Sequence, residues 1–67
     1  MVNTIGDKVK TIRKQHELTQ ISFADKLGIS QGRLSEIEKG KTKPSADTLQ
    51  QLRSKFQVDL NWLLDEE

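Results

Sequence analysis

The sequence predicts an all-α domain built from five helices. Two observations carry that expectation. Apolar residues recur at spacings of three and four along the chain, with no convincing strand pattern between them. Hydroxyl residues (Thr4, Thr19, Ser30, Ser45) stand just ahead of four of these runs, where a helix N-terminus wants an oxygen acceptor. The 67 residues make one small domain, 1–67, without an interdomain linker or repeat. A chain of this size buries only about 60% of its unfolded surface. With no cysteine to staple it, the helices must pack economically.

Each element has its own local signal. Thr4 stands three residues before Asp7, which resembles a capping box. Ile5, Val9 and Ile12 follow as an inner stripe, with Lys8, Lys10, Arg13 and Lys14 around them, and the helix fades near His16. Thr19 opens a second helix from Gln20 to Leu27, with Phe23, Ala24 and Leu27 inward. Gly28 then supplies the backbone freedom of a helix stop. Ser30 caps a third helix, Gln31 to about Lys39, whose inner stripe is Leu34 and Ile37. Gly40 sits where a residue of positive φ ends it. GKTKPS is a loop, because Pro44 disfavours helical geometry in Lys43. Ser45 caps a fourth helix with Leu49, Leu52 and Phe56 inward. A last segment, about Asp59 to Leu64, carries Leu60, Trp62, Leu63 and Leu64, and Trp62 is expected in the core.

Two short helices joined by a tight turn, the second polar on its outer side, are the pattern of a DNA-binding helix-turn-helix. The formal net charge is only +1, but its distribution is lopsided. All 11 Lys and Arg residues lie at or before Lys55 with six of the 10 acidic residues, leaving +5 there and −4 beyond. Clustered charge is what a polyanion senses. A solvated mixed-charge surface with an acidic tail is the alternative reading of the same numbers.

Other classes find little support. One His and no Cys leave neither a Cys–His pair nor a multi-His metal site, so no metal, cofactor or small-molecule ligand is expected. Ser22, Ser30 and Ser35 lack a nucleophile-elbow context, and no Gly-rich phosphate loop is present, so catalysis is not expected. No apolar run approaches the ~20 residues that cross a bilayer. MVNTIGDK lacks the apolar core of a signal peptide, and a cytoplasmic protein is expected.

Taken together, TQISFADKLGISQGRLSEIEKGKTKPS and the closing VDLNWLL resemble the DNA-binding domain of phage repressors, the lambda-repressor-like or Cro/CI-type helix-turn-helix proteins. The resemblance runs from about Ile5 to Leu64. It implies a compact five-helix domain that binds a double-stranded DNA operator in two related halves, as a homodimeric transcriptional regulator, most naturally a phage or prophage-type repressor. A restriction-modification controller or an antitoxin-type regulator fits the same residues. A protein-interaction module that kept the fold without reading DNA is the reading from another class.

Side chains pointing away from Leu34 and Ile37 are the ones able to reach base edges. At about 100° per residue these are Gly32, Ser35, Glu36 and Lys39, with Gln31 and Arg33 on the flanks. The resemblance implies that the first, second and sixth residues of the helix read bases, here Gln31, Gly32 and Glu36. The Gln31 amide suits adenine, whose N6 and N7 it can bond together; the alternative is a solvated glutamine. Gly32 departs from the longer polar residue common there, and either admits a close approach or reads nothing. Glu36 either accepts from cytosine N4 or pairs with Arg33 or Lys39. Arg33 suits guanine or a phosphate, and Ser35 is a weak reader of either polarity.

Phosphate contacts are expected from Thr19 and Gln20 at a helix N-terminus, and from Lys39, Lys41 and Lys43 around the following loop. The resemblance implies the Gln20 contact, and also an ion pair of Arg13 with Glu38 joining the first helix to the third. It further makes Leu60, Asn61 and Leu64 candidates for dimer contacts.

Overall fold

The computed structural model describes residues 4–65. They form five helices in the order α1 (Ile5–Gln15), α2 (Gln20–Leu27), α3 (Gln31–Glu38), α4 (Ala46–Phe56) and α5 (Leu60–Leu64), with no strand among the described residues. Every helix opens on a side-chain acceptor. Thr4, Thr19, Ser30 and Ser45 each accept from the backbone N–H three residues on, and Asp59 accepts from that of Asn61. Such caps satisfy N–H groups that the helix itself leaves unbonded.

The helix ends divide into two kinds. Gly28 (φ 75°) and Gly40 (φ 82°) terminate α2 and α3 in the left-handed region. After α3 the N–H of Gly40 returns to Ile37 O and that of Lys41 to Glu36 O, a paired closure of the Schellman type. After α1 and α4 the same region is occupied by Glu17 (φ 56°) and Gln57 (φ 52°). Those two ends carry no glycine signal in the sequence.

The inner stripes converge on one core. Phe23, Leu34, Leu52 and Leu63 are fully buried, with Val9, Ala24 and Ile37 nearly so and Ile5, Ile12, Leu27 and Val58 at the margin. Helix α1 packs against α3 and α5, while α2 packs against α3 and α4. The α1–α3 approach is close at Gly6, where a Cβ would meet the carbonyl oxygens of Ile37 and Glu38. Phe56 lies edge-on between Phe23 and His16, at centroid distances of 5.0 and 4.9 Å.

One sequence-based expectation needs correction here, and two positions are refined. Trp62 is not a core residue: it is 45% exposed, and Leu63 takes the buried position. A five-residue helix has one narrow inner side, and in LNWLL that side selects Leu63. Leu49 and Phe56 are half-buried partners of the core, whereas Leu52 and the hydroxyl-bearing Thr48 lie deep. Lys8 differs from Lys10 and Lys14 of the same helix, which are exposed. It is buried, and its ammonium donates to Trp62 O (2.7 Å) and Asp65 O (2.6 Å). The same nitrogen sits 5.2 Å from the Trp62 ring centroid. A cation thus closes the C-terminal end of α5, where free carbonyls and the helix dipole favour positive charge.

Candidate nucleic-acid interface

The turn Gly28–Ser30 sets α3 against α2, with Leu34 and Ile37 directed into the core. The opposite side of α3 carries Gln31, Gly32, Arg33 and Glu36, all exposed, with Ser35 half-buried beside them. Lys39, the residue that caps α3, and Lys41 and Lys43 in the following loop are exposed as well. Among the described residues Glu36 forms no ion pair, so neither Arg33 nor Lys39 holds it.

Behind this face runs a chain of charge-assisted and amide hydrogen bonds. Arg13 donates from Nε to Glu38 Oε2 (2.8 Å) and from Nη2 to Glu38 Oε1 (3.2 Å), with Nη1 on Leu18 O (3.0 Å). The side chains are 13% and 4% exposed, so this bidentate pair between α1 and α3 is largely out of water. Such a fork-to-carboxylate arrangement fixes orientation as well as distance. Glu38 Oε1 also accepts from Gln20 Nε2 (3.1 Å), and Gln20 Oε1 accepts from Gln31 Nε2 (2.9 Å). The buried pair therefore orients Gln20, and Gln20 orients Gln31 on the surface.

Gln31 spends one amide hydrogen on Gln20, which leaves the other hydrogen and both lone pairs of its oxygen to face outward. Thr19 accepts from the N–H of Ser22 (3.1 Å), and its own hydroxyl hydrogen stays available for donation. The first turns of α2 and α3 contain no acidic residue, whereas those of α1 and α4 hold Asp7 and Asp47. The partial positive charge at the starts of α2 and α3 is thus left uncompensated. The Gln20–Gln31 bond was not anticipated from the sequence. Its signal is a glutamine at the first position of each of two consecutive helices joined by a tight turn.

Of the residues expected at a dimer contact, Asn61 and Leu64 are exposed, whereas Leu60 is half-buried against the core. Trp62 stands beside them on the surface and, with Ile12, His16, Phe56 and Val58, lines a shallow groove.

The helix-turn-helix family model matches residues 9–63. The chain belongs to the helix-turn-helix family. It is similar to the immunity repressor protein of Bacillus phage phi105, 33% identical over 64 residues, covering 96% of this chain and 44% of that protein. SinR of Bacillus subtilis, the master regulator for biofilm formation, has been solved in complex with DNA. That structure superposes with a TM-score of 0.81 at 30% identity, over 92% of this chain and all of that one. The P22 c2 repressor, solved with a synthetic operator, gives a TM-score of 0.85 over 96% of this chain and 97% of that one; at 23% identity it speaks for the fold alone. This helix-turn-helix chain spans between 34% and 66% of the length of the phi105 immunity repressor, the antitoxin PezA and the phi105 ImmF control-region protein, which it resembles. No helix among its described residues is long and apolar enough to cross a membrane.

Proposed function

We propose that this helix-turn-helix domain binds double-stranded DNA sequence-specifically and regulates transcription as a phage or prophage-type repressor, working in the cytoplasm as a homodimer on a two-fold-related operator. The observation that carries the reading is the Gln20–Gln31 bond, which unites a residue at the start of α2 with one at the start of α3 on a single exposed surface. Gln31 reads adenine, donating its free amide hydrogen to N7 and accepting from N6. A guanine there would present an acceptor, O6, to the Gln31 oxygen and leave it unsatisfied. Arg33, Ser35 and Glu36 complete the base-facing set. Thr19, Gln20, Lys39, Lys41 and Lys43 hold phosphates, aided by the unopposed start of α2. Arg13 and Glu38 orient the reading helix, and the pair holds Arg13 near the DNA. Asn61 and Leu64, with Leu60 behind them, bring two copies together so that half-sites lie about one helical turn, ~34 Å, apart. Binding suffices for this role and no catalytic step is required.

Selection from a random double-stranded DNA pool, with the enriched sequences retested at two salt concentrations, tests the proposal. A two-fold-related motif with steeply salt-sensitive affinity is expected, because phosphate contacts release counterions. Weak, unselective binding would favour an interaction module instead. On the selected operator, Gln31→Ala is expected to lose about 1–3 kcal/mol and to relax preference at one base position. An equal loss on every sequence would remove Gln31 from the readers. Replacing Lys43 with Ala is expected to weaken all sequences alike and to lower the salt slope by roughly one. An unchanged slope would take Lys43 off the phosphate backbone.

A further inference from the structure

Three of the four glycines have a reason inside the chain. Gly28 and Gly40 occupy positive φ, and Gly6 lies where a side chain would strike the α3 backbone. Gly32 has none. Its φ is outside the left-handed region, it is exposed, and a Cβ built on it meets nothing within 4 Å. It nevertheless occupies the second position of α3, where glycine weakens a helix relative to alanine. Nothing in the fold repays that loss. The position is on the outward side of α3, between Gln31 and Arg33.

We propose that Gly32 is a specificity determinant: a notch in the outer face of α3 that admits the C5-methyl group of a thymine. The inference rests on the proposed reading of α3 as the DNA-facing helix. The argument is one of shape. A bare Cα offers no side-chain donor or acceptor, so it cannot read a base edge by polarity. Among the features that base pairs present in the major groove, the thymine methyl is the apolar projection. It fits against a backbone that lacks Cβ, and an alanine methyl would occupy the same space. Glycine at this position also lets the helix settle closer to the bases, which brings the neighbouring Gln31 and Arg33 within reach.

The test pairs a protein methyl with a DNA methyl. Wild type and Gly32→Ala are compared on the operator selected by the wild-type chain, with each thymine replaced in turn by uracil. Gly32→Ala is expected to melt a few degrees higher, which shows that any binding loss is not a folding loss. On the thymine operator it should bind at least about tenfold more weakly, as an overpacked contact does. At one thymine per half-site, uracil should weaken wild type about fourfold, the worth of one buried methyl. The same uracil should restore most of the binding of Gly32→Ala. Equal binding by the two proteins would overturn the inference, as would a loss that no uracil relieves. If the wild-type chain enriches no motif at all, the proposed function itself fails, and the notch with it.

Discussion

Gly6→Ala is expected to lower the melting temperature by at least ~10 °C, although alanine is the better helix former. The added Cβ would stand 2.8 Å from Glu38 O and closer still to Ile37 O. Both obstacles are main-chain atoms in the last turn of α3, so no side-chain rotation relieves them. Overpacking of this kind costs about 1–3 kcal/mol and occasionally more, against a propensity gain of roughly 1 kcal/mol at most. Because neither carbonyl can turn aside, we place the gross cost just above that range, about 4 kcal/mol, which leaves a net loss of about 3 kcal/mol, and each kcal/mol moves a domain of this size by ~4–8 °C. A thermal melt followed by circular dichroism decides the matter. A melting temperature within ~2 °C of the parent would mean that α1 and α3 separate at little cost, contrary to the close approach described. The opposite sign expected for Gly32→Ala makes the two glycines internal controls for each other.

Glu38→Ala is expected to cost about 3 kcal/mol. Removing one member of a buried ion pair typically costs ~3–5 kcal/mol, because the remaining charge is stranded away from water. The low end applies here, since Arg13 keeps its bond to Leu18 O and is 13% exposed. Denaturant unfolding measures the loss. Replacing both partners with methionine should recover most of it, because an apolar pair of similar volume avoids desolvating two charges. If Glu38→Ala costs less than ~0.5 kcal/mol, the pair behaves as a surface contact and its burial carries no energetic weight. The double replacement should still bind operator poorly, because Gln20 loses the carboxylate that orients it.

The helices were legible in the sequence because their signals are local. Thr19 and Gly28 bracket α2, and Ser30 and Gly40 bracket α3, by rules that involve only neighbouring residues. The expected segment from Gln20 to Leu27 is the observed one, and α3 ends one residue short of Lys39, which serves as its cap. What was not legible depends on distant partners. Nothing local sets Lys8 apart from the other cations of α1, because its carbonyl acceptors lie 54 and 57 residues along the chain. Gly6 gave no turn or cap signal, because its constraint comes from α3 across the core. Trp62 was misplaced because periodicity cannot choose among four apolar residues within a helix shorter than two turns. At the candidate site the residue types and the outward side of α3 could be read from spacing. The amide link from Gln31 through Gln20 to Glu38 could not, since it depends on how closely two helix starts approach.

The way α3 is held has a consequence for how such a domain can diverge. Its start is set by Ser30, its stop by Gly40, and its seat by Leu34, Ile37 and the buried Glu38. Arg33 and Glu36 make no side-chain hydrogen bond or ion pair among the described residues, and Gly32 has open space around it. The scaffold therefore places almost no demand on the residues that face outward. Under the proposed function, sequence drift at those positions can rewrite the address while leaving folding intact, so that new binding preferences arise by single substitutions without passing through an unstable ancestor. Gln31 is the exception, because its tether to Gln20 ties one letter of that address to the framework.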